Sequence, residues 1–377
     1  MADSQIQGRV IAVLTQVMPW LHLKDLASLG RTCRALAATA ASLNLLRAND
    51  IARGLERFPV PVFNTVDHVL YPLFSYSPFS ILRSSPPLLP WGSLSRPPHK
   101  TPSNARPPSP SADICPCVAS NSGQILESNS ATNHSQLCME ADSPPISKRQ
   151  REMPPLCGHL LEGELAYDGD SRLHCLSMSS KSDEWVPSNE FLSIIECGPA
   201  CGCSLRCKYR VTQHGLSVKV AVHKDHLKGW SLRAMNFIPK GAFVFQYAGE
   251  LLTTMEAQSR QRLYDELRKT QAEFAPSLMV VREHLPSGNL CLRLNIDATH
   301  VGNVARFVNH SCDGGNLQPC IARLSGSPIP KLVFFARCDI GEGDELTFSY
   351  GDVHGCETHP CFCKTAACKG FLPFEET

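Results

Sequence analysis

The sequence predicts a mainly β domain of catalytic size, with short helices, behind a small helical module. Three observations carry that expectation. Short apolar runs at 218–222, 243–247, 290–296, 331–336 and 345–350 are each bounded by Gly, Pro, Asn or Asp, the punctuation of strands. In that half of the chain one helix stands out, at about 254–270: Thr253 and Glu256 have the spacing of a capping box, and Leu263, Tyr264 and Leu267 make an apolar face. Near the N-terminus the period changes. Val10, Ile11, Leu14, Val17 and Met18, then Leu21, Leu23, Leu26 and Leu29, recur at helical spacing with breaks at Pro19 and around Asp25, which gives two or three short helices.

A chain of 377 residues has room for two to three domains of about 150 residues and a sizeable core. Charged residues make up 19% and the net charge is +1, so no overall field attracts nucleic acid or an anionic membrane; a charge-driven contact must be local. No run of 18 apolar residues and no basic, then apolar leader occurs, so a soluble intracellular protein without a membrane partner is expected. The helical module occupies 1–60. Residues 84–155 hold 14 prolines and 14 serines and form a linker or insertion, because such a stretch lacks backbone donors and buries too little surface to offset its ordering entropy. The pattern VLTQVMPWLHLKDLASLGRTCRAL resembles an F-box, which docks on the Skp subunit of ubiquitin ligases; a generic helical packing module accounts for the same leucines.

Eighteen cysteines in a reducing compartment read more economically as metal ligands than as disulfides. Cys197, Cys201, Cys203 and Cys207 are spaced C-x3-C-x-C-x3-C, and Cys361, Cys363 and Cys368 are spaced C-x-C-x4-C. Thiolates this close, without open carboxylate or imidazole positions, suit a closed tetrahedral zinc site. Isolated core thiols would not fall at such regular gaps. The second group is one ligand short, and Cys312, in Arg306-Phe307-Val308-Asn309-His310-Ser311-Cys312, is the candidate for the fourth.

In order along the chain stand ECGPACGCSLRCKYRVTQHG, KGWSLRA, FVFQYAGELL, NVARFVNHSCDGGN, DELTFSYGD and CFCKTAAC. Together they resemble the pre-SET, SET and post-SET segments of histone-lysine methyltransferases, and most of all the plant suppressor-of-variegation-related class. The resemblance implies a SET-domain β-fold with a knot-like core and flanking zinc clusters: a pre-SET region at 157–214, a SET domain at 215–351 and a post-SET region at 357–377. It implies methyl transfer from S-adenosyl-L-methionine to a lysine of a histone H3 tail or nucleosome, lysine 9 foremost, and hence a nuclear, chromatin-bound protein. Lys148-Arg149-Gln150-Arg151 adds only a short basic run.

By the same resemblance, Lys228, Gly229, Trp230 and Ser231, the Asn309 side chain and the His310 backbone hold the cofactor, and Tyr350, also at the cofactor, is the catalytic tyrosine. Phe348 borders the space in which a partly methylated amine must turn; without a hydroxyl there, di- or trimethyl-lysine is the expected product. Arg306 and Phe307 are structural. Three departures stand out. Val301 occupies a position where many relatives carry a tyrosine, Ser277 falls about where many have an aromatic cofactor contact, and the five earlier cysteines of a nine-cysteine pre-SET cluster are represented by the widely spaced Cys115, Cys117, Cys138, Cys157 and Cys175. Either a long insertion loops out of the full cluster or the cluster is reduced; reduction is favoured, since a longer loop costs more to close. Two other readings remain: a cysteine hydrolase built on His310 and Cys312, disfavoured because the neighbouring Asn309 and the zinc-ligand candidate Cys312 have better assignments, and a non-catalytic adaptor in which a degenerate SET domain binds a target for a ubiquitin ligase.

Overall fold

The computed structural model describes residues 2–21, 23–82, 167–173, 192–271, 274–284, 291–351 and 359–373. The Pro/Ser-rich stretch 84–155, the basic run at 148–151 and Cys115, Cys117, Cys138, Cys157 and Cys175 lie outside these residues.

The N-terminal apolar period folds as α1 (Ala2–Val17), a 3-10 turn at Met18–Trp20 with Pro19 in its first turn, α2 (Leu23–Gly30) and α3 (Arg34–Asn49). Met18, Leu26, Leu36, Ala40 and Leu43 close a small separate core. The helices end at Asp50, whose carboxylate accepts the N–H groups of Ala52, Gly54 and Val60 at 2.7–3.0 Å and turns the chain away. Arg47, almost fully buried, donates to the Tyr71 hydroxyl (2.9 Å) and to the carbonyls of Pro19 and Leu21, latching the helices to the segment that follows.

That segment, 50–82, packs with the sheets: Ile51, Ala52, Val60, Phe74 and Tyr76 belong to the large core. The last of the N-terminal helices ends at Asn49. Three two-residue strands follow, β1 (Val62–Phe63), β2 (Ser75–Tyr76) and β3 (Ile81–Leu82). The buried Glu56 carboxyl accepts from the Tyr76 hydroxyl and from Leu216 N–H, both at 2.8 Å, and burial holds its pKa above the ordinary carboxylate value.

The remaining strands are β4 (Leu192–Glu196), β5 (Val220–Asp225), β6 (Gly229–Ala234), β7 (Phe243–Gln246), β8 (Gly249–Leu252), β9 (Leu278–His284), β10 (Cys291–Gly302), β11 (Asn309–His310), β12 (Leu317–Leu324), β13 (Lys331–Ala336) and β14 (Thr347–Phe348). They form four sheets in the orders β1-β5-β6, β2-β10-β8-β3 with β9 also on β10, β4-β12-β13-β7, and β11-β14. The three short N-terminal strands each run parallel to a neighbour at a sheet edge. The mainly β expectation holds; 331–336 is a strand over its full predicted span, whereas 345–350 shrinks to two residues.

Helix α4 (Thr254–Thr270) carries the predicted capping box, with Thr253 and Glu256 each accepting the other's backbone N–H. Its buried face includes Tyr264, as expected, but not Leu263. Ala257 and Tyr264 are buried while Leu263 is 55% exposed. Arg260 pairs with Glu250 and Asp297, and the Tyr264 hydroxyl donates to Asp297 (2.6 Å), so the helix docks through a charged network rather than a leucine stripe.

Candidate functional site

The β5–β6 hairpin turns where the Asp225 carboxylate accepts the N–H groups of Leu227 (2.7 Å) and Lys228 (3.0 Å). Gly229 follows with φ +72°, a conformation that favours glycine, and a Cβ placed there would meet nothing within 4 Å. The backbone of the turn is therefore open to a ligand. Lys228 donates to Glu345 (2.7 Å), and the Asn309 amide donates to the other Glu345 oxygen (3.0 Å) and to the Trp230 carbonyl (3.3 Å). The buried Ser231 hydroxyl donates to His223 O, and Lys224, paired with Asp67, stands 5.3 Å from the centre of the Trp230 ring. Lys228, Gly229, Trp230 and Asn309, distant in sequence, are thus brought together. Glu345 joins them and was not singled out from sequence; as the second of two adjacent acids, Asp344 and Glu345, it carries no local signal.

Strand β14 lies parallel to β11, with Asn309 opposite Thr347 and His310 opposite Phe348. The approach is tight: Gly315 has φ +70°, and a Cβ on it would lie 2.3 Å from the Thr347 carbonyl oxygen. This pairing carries Tyr350 past the 308–312 segment. Its hydroxyl donates to Val308 O (2.7 Å) and its N–H donates to His310 Nδ1 (3.1 Å). The residue is 40% exposed, but the hydroxyl points inward; desolvation, with the Glu345 charge, raises its pKa and keeps the phenol neutral near neutral pH. Buried Tyr247 donates to Ser277 O (3.0 Å), and desolvation, reinforced by nearby Tyr350, raises its pKa as well. Tyr247 is a second phenol of the site, visible in the sequence only as one residue of FVFQYAGELL.

Phe348 is 3% exposed and packs between Phe334 and Tyr350, ring centres 4.8 and 5.0 Å away. Val301 is buried on β10 beside Ser75 of β2. The Arg306 guanidinium lies over Phe74 and Phe307 (4.6 and 5.1 Å) and donates to Thr299 O. His310, its pKa drawn down to about 4 by burial and then by Lys369, is a neutral ring whose Nε2 lies 3.2 Å from Cys312 Sγ.

The sulfurs of Cys312, Cys361, Cys363 and Cys368 all lie within 4.8 Å of one another. A tetrahedron with zinc–sulfur bonds of about 2.3 Å sets its sulfurs about 3.8 Å apart. Cys312 and Cys361 are 3.8 Å apart, so four thiols at this spacing fit zinc. In the earlier group Cys197, Cys203 and Cys207 converge in the same way, and Arg210 donates to Cys203 Sγ (3.5 Å) and Gly198 O (3.0 Å). Cys201, the fourth cysteine of the spacing, is buried in the same cluster as Cys197, with its N–H on Gly198 O, and is not one of the three whose sulfurs lie within 4.8 Å of one another.

Comparison with known proteins supplies the context. Residues 229–351 match the SET domain family. The chain is 40% identical over 375 residues to histone-lysine N-methyltransferase SUVR3 of Arabidopsis thaliana, across 98% of this chain and 93% of that protein. The methyltransferase domain of human histone-lysine N-methyltransferase SETMAR superposes with a TM-score of 0.55 at 29% identity, covering 87% of this chain and 99% of that one. Arabidopsis thaliana SUVH6, solved in complex with SAM, superposes with a TM-score of 0.50 at 25% identity, covering 86% of this chain and 55% of that one. In sequence SUVH6, named as H3 lysine-9 specific, is 35% identical over 197 residues, 47% of this chain and 25% of that protein.

Proposed function

The chain belongs to the SET-domain histone-lysine N-methyltransferases, and from that membership we propose that it methylates lysine 9 of the histone H3 tail in the nucleus. The observation that carries the reading is the 40% identity to a histone-lysine N-methyltransferase along nearly the whole of both chains. Lysine 9 is supported by the specificity named for SUVH6. When bound, S-adenosyl-L-methionine supplies an electrophilic methyl group on a sulfonium. The open turn at Gly229 fits a close ligand, with Lys228, the Trp230 face, Ser231, the Asn309 amide and the His310 backbone as its holders.

The protein's own contribution is positioning. Tyr350, a neutral phenol anchored on Val308 O, orients the substrate amine, and an apolar lysine channel bordered by Phe348 favours the uncharged amine by desolvation. Zinc held by Cys312, Cys361, Cys363 and Cys368 clamps the C-terminal segment over the site and excludes water. A second zinc site involves Cys197, Cys203 and Cys207. The adaptor alternative and a Skp-type partner gain no support: SUVR3, similar through the helical N-terminus as well, is itself named as a transferase.

The test is incubation with labelled methyl donor, core histones and nucleosomes, then mass spectrometry of the tails. Label on H3 lysine 9, absent from a lysine 9→Ala histone, is expected; label only on other residues overturns the lysine assignment, and no label on any histone overturns the transferase.

A further inference from the structure

Two hydrogen bonds on one ring link parts of the molecule that are far apart in sequence. His310 Nδ1 faces the backbone N–H of Tyr350 at 3.1 Å, and Nε2 faces Cys312 Sγ at 3.2 Å. A backbone N–H can only donate, so Nδ1 presents its lone pair and the neutral ring carries its proton on Nε2, aimed at the sulfur. Strand β14 ends at Phe348, so no ladder bond reaches Tyr350. Its backbone is held by His310 and its hydroxyl by Val308 O, both in the short segment that leads into Cys312. The imidazole lies 5.3 Å from the Tyr350 ring centre, in contact with the residue it holds.

Resting on the transferase reading above, we propose that His310 is a positioning residue whose imidazole couples the four-thiol metal site to the placement of Tyr350. A thiolate bound to a metal is a strong acceptor, and a second-shell donor fixes its orientation. With both nitrogens engaged, the ring transmits the geometry of Cys312 to the Tyr350 backbone. A displacement of about 1 Å at a reacting group costs on the order of 10²-fold in rate, so this link sets turnover without touching the substrate.

The test splits the two bonds in the full chain. In His310→Asn the amide oxygen can stand near the position of Nδ1 while the reach to sulfur is lost; in His310→Gln an N–H reaches toward the sulfur while the Nδ1 position is vacated. The readouts are chelator competition for zinc, the thiolate-to-metal charge-transfer band of the cobalt-substituted protein, amide hydrogen exchange at Tyr350, and kcat separately from KM for the methyl donor. His310→Asn is expected to keep Tyr350 protected from exchange, while metal affinity falls about 10- to 100-fold and the cobalt band shifts. His310→Gln is expected to keep the metal, speed exchange at Tyr350 and lower kcat about 10²-fold. In the unmutated protein, chelation of the metal accelerates exchange at Tyr350. The proposal is overturned if the two variants behave alike, or if exchange at Tyr350 ignores metal removal, a measurement that needs no variant to fold. Absence of methyl transfer by the unmutated protein would refute the transferase reading alone, because metal affinity and exchange still decide the link.

Discussion

The two thiol groups use the same chemistry at different chain separations. Cys197 and Cys207 are 10 residues apart, whereas Cys312 and Cys361 are 49 apart. Loop-closure entropy grows as about (3/2)RT ln n, so pinning the longer span costs about 1.4 kcal/mol more. The early group shapes a local turn over the apolar cluster of Tyr167, Ile194 and Phe335. The late group joins the C-terminal segment to the strand beside Tyr350. A metal in the first would support the fold around itself; a metal in the second would tie the C-terminal segment to the strand beside Tyr350.

The sharpest way to break that contrast is Cys312→Ser. It removes one of four ligands and is expected to lower transfer by about 100-fold or more, with 361–368 exchanging amide hydrogen at near-solvent rates. Retention of full zinc stoichiometry and protection at Cys361–Cys368 would sink it. Cys203→Ser should act on stability instead: the melting temperature falls by several degrees, while the folded fraction keeps its donor KM within about threefold. Equal losses of donor binding in the two variants would erase the distinction.

Smaller effects sharpen the picture at the site. Glu345→Gln keeps an oxygen for Asn309 but loses the partly buried ion pair with Lys228, worth about 1–2 kcal/mol to the folded turn, so the melting temperature should fall by a few degrees and donor KM should rise as the turn loosens. An unchanged donor KM would remove Glu345 from the cofactor side. The smallest effect on the first transfer is expected for Phe348→Tyr. A buried hydroxyl worth about 1–3 kcal/mol when hydrogen-bonded should stall the reaction at monomethyl-lysine, whereas the native protein proceeds to di- or trimethyl-lysine. Time courses by mass spectrometry decide it, and a native protein that stops at one methyl with donor in excess contradicts it.

Legibility in the sequence followed the range of the physics involved. The capping box at Thr253 and Glu256 is a contact between residues three apart, and it appears as expected. Cys312 was found by counting, since three thiolates leave a tetrahedron incomplete, and the structure brings it to the other three. Strands of two residues, such as β1 to β3, are too short to show a period and exist only because longer strands await them. Leu263 misled because amphipathic patterning assumes an apolar dock, and here Asp297 and Glu250 receive Arg260 instead. Glu345 and Tyr247 were passed over because their partners, Lys228 with Asn309 and the Ser277 carbonyl, are remote along the chain.

The short parallel strands of 62–82 bear on how the protein can be divided. Each covers a row of backbone donors and acceptors that would otherwise face solvent. A shortened chain starting at 192 would keep nearly every residue assigned to chemistry, yet it would present bare ladders on β5, β8 and β10, ready templates for pairing with another molecule. Such a fragment would self-associate, and its inactivity in an assay would measure precipitation rather than chemistry.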